Sequence, residues 1–344
     1  MESFLDFTGL ERTGIEFCFK VSNWGLFKLR VAILGVGSIG GIILGALSDT
    51  DIDIVCVSRG YTAKNLSQLG LVLHTPEGSI EVVPSERYLI VNSSEDSISE
   101  QIRNTCDIVI VCGKTVDNID LSKLSSELVN EQGCVLTLQN GLGNAEQFSY
   151  RVGRDRVVVG SVTHAAWRDS NGEVHWVGRG EIIFGPLDDA GEKYSESILN
   201  VLNDAGLNAS KSDDIQQILW KKLLINVAIN PVCSIAGVRN GALLEVESLW
   251  NQAMQAMREA AIVARSSGVD LGEINLESYL REVVSISPEN RCSMLQDIMA
   301  GRKTEIDSLC GAVVMRGEDE GIPTPCNAIL HGLVKGIEKS SSLD

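Results

Sequence analysis

The chain has 344 residues, which is long for one compact domain and enough for two, because single cores stop growing near ~250–300 residues. A hydrophobic fraction of 44% with 22% charged residues argues against a largely disordered chain. The formal charge of −17 repels phosphate at long range, so we expect neither nucleic acid nor a membrane surface as a partner.

Cysteine and histidine patterns argue against disulfides and metal sites. The nine cysteines are scattered and form no C-x-x-C pair. Several lie in apolar runs, which favours buried thiols in a reducing compartment. The four histidines have no metal-ligand spacing, so we expect no metal.

The first elements in the chain do not suggest targeting or membrane insertion. Residues 1–27 show no periodicity and resemble neither a signal nor a transit peptide, so we interpret them as an N-terminal extension and expect a cytoplasmic protein. The uncharged run 31–48 is long enough for a membrane span, but it contains five glycines and a turn motif.

From residue 28 onward, short β-branched runs alternate with helical patterns, which predicts a parallel sheet covered on both faces. The predicted strands cover 29–34, 52–57, 108–112 and 135–138, and helices over 38–47 and 121–130 lie between them. A hairpin over 71–74 and 80–83 and a second β region over 157–162, 173–177 and 181–184 interrupt this pattern.

After residue 210 the sequence predicts long helices over 214–229, 243–267, 276–284 and 291–317. The predicted class is therefore α/β. A Rossmann-type doubly wound sheet in residues 28–210 is followed by an all-α domain in residues 211–344, with a cleft between the two.

A glycine-rich motif follows the first predicted strand and opens the first helix, which is the context of a dinucleotide-binding turn. It consists of Gly35, Val36, Gly37, Ser38, Ile39 and Gly40. The second strand ends without an acidic residue but is followed by Arg59, whose forked donors suit a 2′-phosphate. The predicted cofactor is therefore NADP(H).

Polar residues follow two further strands. Lys114 comes after the strand at 108–112, and Asn140 after the strand at 135–138. Ligands of open α/β sheets bind at the carboxyl ends of the strands, so we expect both residues to line the cofactor edge together with Arg59.

In the helical region, Lys222, Asn226 and Asn230 recur every four residues in an otherwise apolar run, so one helix face carries all three. Such groups need partners or a wet cleft. Ser293 and Asp297 are one turn apart, and Glu305 lies two predicted turns further on. Spacing alone does not separate these last three from a solvated face.

From residue 28 nearly to its end, the chain resembles the ketopantoate reductase family, whose helical domain is of the 6-phosphogluconate-dehydrogenase type. The resemblance is carried by the glycine motif, by 58–60, Lys114 and 139–143, by 163–166, by 220–231 with Lys222, Asn226 and Asn230, and by 293–307. It departs at 113–117, where members often carry an Ala and a Gln after the Lys.

The resemblance implies NADPH-dependent reduction of 2-dehydropantoate to (R)-pantoate, a step towards pantothenate and coenzyme A. It implies that Lys222 is the general acid and Glu305 its partner at the substrate. The implied substrate residues are Asn140, Asn226, Asn230 and Ser293, and the implied cofactor cations are Arg59 and Lys114. Asp297 and His164 also match, and we interpret them as structural.

Two other functions stay open at this point. The chain could be another dehydrogenase of this fold that acts on a different 2-keto acid or an imine, or a non-catalytic NADPH sensor. Its oligomeric state is also open, with a homodimer as one possibility.

Overall fold

The computed structural model describes residues 28–340. The extension predicted over residues 1–27 lies outside this range. The strands are β1 (Arg30–Leu34), β2 (Asp53–Ser58), β3 (Leu71–His74), β4 (Ile80–Val83), β5 (Tyr88–Asn92), β6 (Cys106–Val111), β7 (Val129–Thr137), β8 (Val157–Val162), β9 (Ala165–Arg168), β10 (Val174–Gly178), β11 (Ile182–Pro186) and β12 (Ala209–Lys211).

Helices α1 (Ser38–Ser48), α2 (Gly60–Leu69), α3 (Asn118–Leu128), α4 (Asn144–Val152) and α5 (Ser195–Asp204) lie among the strands. The helical part contains α6 (Ile215–Ala236), α7 (Ala242–Glu245), α8 (Glu247–Ser266), α9 (Leu276–Ile286), α10 (Ser293–Met299), α11 (Ala312–Glu320) and α12 (Pro325–Ser340). A π-helical turn at Asp307–Gly311 precedes α11.

The main sheet has eight strands in the order β12-β11-β8-β7-β6-β1-β2-β5. The pairs from β8 to β5 are parallel, and only β11 runs antiparallel to its neighbour β8. Leu34 pairs with Val57 on one side and Val111 on the other, so these strands end at the same edge. The predicted fold class, a parallel-rich sheet followed by an all-helical part, is confirmed.

The predicted hairpin forms β3 and β4, but it is not inserted into the main sheet. It pairs through β3 with β10 in a separate four-stranded sheet of order β4-β3-β10-β9. Strands β5, β9 and β12 were not predicted. They are only three to five residues long, so local periodicity carries little signal for them. In addition, β5 and β12 pair with strands that lie beyond an intervening helix, whereas β9 pairs with the nearby β10.

Alternation along the strands builds two apolar clusters. In β1, Val31 and Ile33 face one cluster, while Ala32 and Leu34 face the other. The second cluster continues without interruption into the helical part, where it includes Trp220 of α6. One face of the sheet and the helices therefore share a single core.

Two predicted helices are interrupted. The helix predicted over 291–317 is divided, because Gly301 adopts φ +64° and ends α10. The N–H of Arg302 donates to the carbonyl of Asp297 (2.8 Å) and that of Gly301 to Ile298 (3.0 Å), a Schellman ending. The helix predicted over 243–267 is likewise interrupted at Val246, between α7 and α8.

Helix α6 extends seven residues beyond the predicted end at 229, through Pro231 to Ala236. Within the described range it alone is long and apolar enough to cross a membrane, but 61% of its most apolar window is buried inside the protein. It therefore serves as a core helix, on which α8, α10 and α12 pack. The eight described cysteines are free, and Cys18 lies outside the described range.

Candidate active site

The glycine motif forms the tight turn between β1 and α1. Gly35 has φ +88°, and a Cβ there would lie 2.4 Å from the Cα of Gly113. A Cβ at Gly40 would lie 2.2 Å from the carbonyl oxygen of Gly35. Gly37 differs, since a Cβ there would meet nothing within 4 Å. The turn is closely packed behind and open in front, and α1 has no acidic residue in its first turn. A pyrophosphate fits this arrangement.

Two side chains hold the turn in place. Ser58 Oγ accepts a hydrogen bond from the N–H of Val36 (3.1 Å), and the guanidinium of Arg168 donates to the carbonyl of Val36 (2.7 Å). Arg168 lies in β9, in the second sheet, and nothing in the sequence pointed to it. The second sheet therefore supports the turn.

Arg59 precedes α2 at the end of β2, as predicted, but its guanidinium is paired. Nη1 and Nη2 donate to the two carboxylate oxygens of Asp117 at 2.9 and 2.7 Å. The Arg59 side chain is 61% exposed and that of Asp117 only 22%. An acid therefore lies beside the predicted phosphate-binding cation, although it does not come from β2.

Lys114 follows β6 and reaches the helical part. Its Nζ donates to Oδ2 of Asp297 (2.6 Å), whose Oδ1 accepts from Arg302 (3.0 Å). Burial alone would lower the pKa of Lys114, but the carboxylates of Glu305 and Asp297 outweigh it and raise that pKa. The buried Asp297 therefore tethers Lys114 across the cleft.

The loop after β7 is docked onto the π-helical turn. Gly141 has φ +84°, and a Cβ there would lie 2.2 Å from the carbonyl oxygen of Ser308, which accepts from the N–H of Leu142 (3.0 Å). This docking brings Nδ2 of Asn140 to 3.0 Å from Oε2 of Glu305, to which it donates. Asn140 and Glu305 are thus brought together from the two parts of the molecule.

Buried amides fix the backbone of Asn140. Asn144 Nδ2 donates to the carbonyl of Asn140 (2.8 Å), and Asn118 Nδ2 donates to Asn144 Oδ1 (2.9 Å). Gln139 in turn donates to Asn118 Oδ1 (2.7 Å). The chain of amides orients the loop and leaves the side chain of Asn140 directed at Glu305.

Lys222 lies on α6, partly buried beside β8. Its Nζ donates to the carbonyl of Val162 at 2.7 Å. Burial lowers the pKa of Lys222 to about 8, and the negative charge of Glu305 opposes part of that effect. Glu305 itself is 8% exposed. One buried carboxylate therefore acts electrostatically on both Lys114 and Lys222.

The remaining predicted substrate residues lie on α6 and at the start of α10, which packs on α6. Within residues 28–340, the side chains of Asn226, Asn230 and Ser293 have no hydrogen-bond partner. The prediction that Glu305 shares a helix with Ser293 and Asp297 is wrong, because α10 ends at Met299 and the chain turns at Gly301.

His164 is buried two residues after the end of β8. Its Nε2 is 3.1 Å from the carbonyl of Leu207, and its Nδ1 accepts from the N–H of Gly180 (2.9 Å). Burial lowers the pKa of His164, so its neutral form is favoured. These contacts join the end of β8 to the segments that precede β11 and β12.

One group of potential metal ligands forms that the sequence spacing did not reveal. His74, Glu173 and His175 meet across β3 and β10, with ligand atoms within 4.8 Å of one another. However, the imidazoles are stacked with centroids 4.2 Å apart, and Nε2 of His74 lies 2.6 Å from Oε2 of Glu173. This geometry is that of a hydrogen-bonded pair beside a stacked ring.

The arrangement can bind an anion and supply a proton. Lys114, Lys222 and Asn140 surround Glu305, while Asn226, Asn230 and Ser293 offer unused polar groups. An ammonium with a pKa of about 8 is suited to donate a proton to a developing alkoxide. Reduction of a carbonyl compound with a nucleotide cofactor needs these elements.

The chain matches a known protein family over most of its length. Residues 31–189 match the family model described as "Ketopantoate reductase PanE/ApbA", and residues 214–338 match its C-terminal counterpart. A 2-dehydropantoate 2-reductase from Halobacterium salinarum is 32% identical over 311 residues, which cover 89% of this chain and 98% of the relative.

Among solved structures, a PanE/ApbA family ketopantoate reductase from Ralstonia eutropha has a TM-score of 0.81 and 27% identity, covering 91% of this chain and 100% of that one. A D-mandelate dehydrogenase with NADH and anilino(oxo)acetate shares the fold, with a TM-score of 0.81 and 24% identity over 91% of this chain and 100% of that one. The chain belongs to the ketopantoate reductase family and is an oxidoreductase.

Proposed function

We propose that this protein reduces ketopantoate (2-dehydropantoate) to (R)-pantoate with NADPH, in the cytoplasm, as a step of pantothenate and coenzyme A biosynthesis. The observation that carries the proposal is the convergence of Lys222, Glu305 and Asn140, because it joins an ammonium of pKa about 8 to a fixed carboxylate and amide. The names of the relatives support ketopantoate as the substrate.

NADPH fits the chain's own residues. The open face of Gly37 admits a pyrophosphate, and Arg59 lies where a 2′-phosphate is expected. When bound, the cofactor supplies the hydride that adds to C2 of the keto acid. Lys114, next to Asp297, adds positive charge at the same edge of the sheet.

Lys222 then acts as the general acid. As C2 gains the hydride, the carbonyl π electrons move to the oxygen, and the N–H of Lys222 delivers the proton that converts this alkoxide to the alcohol. Glu305 keeps Lys222 partly charged, since its carboxylate raises a pKa that burial lowers. Asn140, Asn226, Asn230 and Ser293 orient the substrate through hydrogen bonds.

The test is oxidation of NADPH by the purified chain with ketopantoate, beside a panel of other 2-keto acids and an imine. Preference for ketopantoate by at least tenfold in kcat/KM supports the proposal. Preference for another member of the panel would assign the chain a different substrate on the same fold. Tight NADPH binding without turnover of any compound would indicate a sensor.

A further inference from the structure

The Arg59–Asp117 pair sets up a competition at the cofactor edge. A 2′-phosphate would be recognised by the forked N–H groups of Arg59, and those groups are already shared between both oxygens of Asp117. We propose that Asp117 is a specificity-determining residue that competes with the 2′-phosphate for Arg59, so that this chain accepts NADH as well as NADPH. This inference rests on the proposed use of NADPH.

Asp117 is the fixed member of the pair. It belongs to a short 3-10 turn at Thr115–Asp117, and its N–H donates to the carbonyl of Lys114 at 3.0 Å. It is also the residue from which α3 begins. Because its side chain is 22% exposed against 61% for Arg59, the carboxylate is the more confined of the two groups, and the guanidinium has more room to turn towards a phosphate.

The negative charge of Asp117 therefore disfavours NADPH relative to NADH. A 2′-phosphate that reached Arg59 would stand beside the negative carboxylate of Asp117 and would have to displace it from the guanidinium. The 2′-hydroxyl of NADH has no such conflict, because a carboxylate near the ribose accepts its hydrogen bond.

The test measures binding rather than turnover. Calorimetry would compare 2′-phospho-ADP-ribose with ADP-ribose on the wild type and on Asp117→Asn. We expect Asp117→Asn to tighten binding of the 2′-phosphorylated nucleotide by about tenfold, an effect typical of removing one nearby, partly screened charge. Binding of ADP-ribose should not tighten. The side chain of Asp117 makes no capping hydrogen bond to α3, so the substitution removes no helix cap and the fold should be retained.

Two further variants isolate the mechanism. In Arg59→Ala, the additional Asp117→Asn change should alter 2′-phospho-ADP-ribose binding by less than about threefold, because the two residues act through one contact. Glu77→Gln is the matched control. Glu77 forms a similar pair with Arg179 (2.6 and 3.1 Å) in the turn between β3 and β4, so its loss removes one charge away from the cofactor edge and should leave both affinities unchanged.

The competition is refuted if Asp117→Asn leaves 2′-phospho-ADP-ribose binding unchanged, tightens both nucleotides equally, or keeps its full effect in the Arg59→Ala background. An effect of Glu77→Gln as large as that of Asp117→Asn would refute it as well. Failure of the proposed function looks different. In that case Asp117→Asn would still tighten binding of 2′-phospho-ADP-ribose but not of ADP-ribose, while ketopantoate is not reduced. If the wild type binds neither nucleotide, both proposals are wrong.

Discussion

Replacing Lys222 by Met separates the chemical role of this ammonium from its effect on stability. A pKa lowered from the ordinary 10.5 to about 8 means that the folded state disfavours the charged form by about 3 kcal/mol. The hydrogen bond to the carbonyl of Val162 offsets about half of this. Lys222→Met should therefore stabilise the fold by about 1–2 kcal/mol at pH 7 while lowering kcat by ~10²–10⁴.

The pH dependence has a defined sign. Below pH 8 Lys222 is protonated in the folded chain, which costs free energy because the ammonium is buried. Between pH 8 and 10.5 the unfolded chain binds more protons than the folded chain, so wild-type stability rises with pH in that window. The stability advantage of Lys222→Met should shrink over the same range. Activity should do the opposite, because kcat/KM for reduction falls about tenfold per pH unit above about 8 as the acid is lost.

The assay combines urea unfolding at pH 7 and pH 9.5 with NADPH oxidation from pH 6 to 10. Lys221→Met is the control, because Lys221 donates only to Gln217 on the same helix (2.9 Å) and should leave kcat within about twofold. The reasoning fails if Lys222→Met keeps more than half of the wild-type kcat with the fold intact. It also fails if the wild-type rate shows no decline above pH 8.

Four further substitutions test the rest of the site. Glu305→Gln should raise KM for ketopantoate and lower kcat. It should also move the decline of the pH–rate profile below pH 8, because the Glu305 carboxylate raises the pKa of Lys222, and an unmoved profile would contradict this coupling. Gly40→Ala should prevent correct folding because its Cβ would lie 2.2 Å from a carbonyl oxygen, whereas Gly37→Ala, with nothing within 4 Å, should fold and lose only cofactor affinity in calorimetry. Asp297→Asn should lower stability to urea by about 1–3 kcal/mol and weaken NADPH binding, because Lys114 loses its tether.

The sequence is informative where the chemistry follows local periodicity. The turn at Gly35–Gly40 and the spacing of Lys222, Asn226 and Asn230 are local patterns, and the structure has them on a strand–helix turn and on one helix. Glu305 is different, because its position depends on the backbone turn at Gly301 and on the docking of Gly141.

Pairings between distant segments could not be predicted. Asp117 lies 58 positions from Arg59, and Asp297 lies 183 positions from Lys114, so no helical or strand period relates either pair. Asp117 was visible in the sequence only as a departure from the family pattern. Arg168 gave no signal, since it belongs to β9, a short strand whose contact with the glycine turn depends on how the two sheets pack.

The apolar cluster shared by one sheet face and the helices limits how this enzyme could be rebuilt from parts. Val135, Val157 and Val159 of the sheet belong to the same cluster as Leu219 and Trp220 of α6. Cutting the chain between β12 and α6 would expose apolar surface on both fragments, so we do not expect either fragment to fold stably on its own. A chimaera that grafts a new substrate half onto this nucleotide half must therefore redesign that valine surface together with the graft.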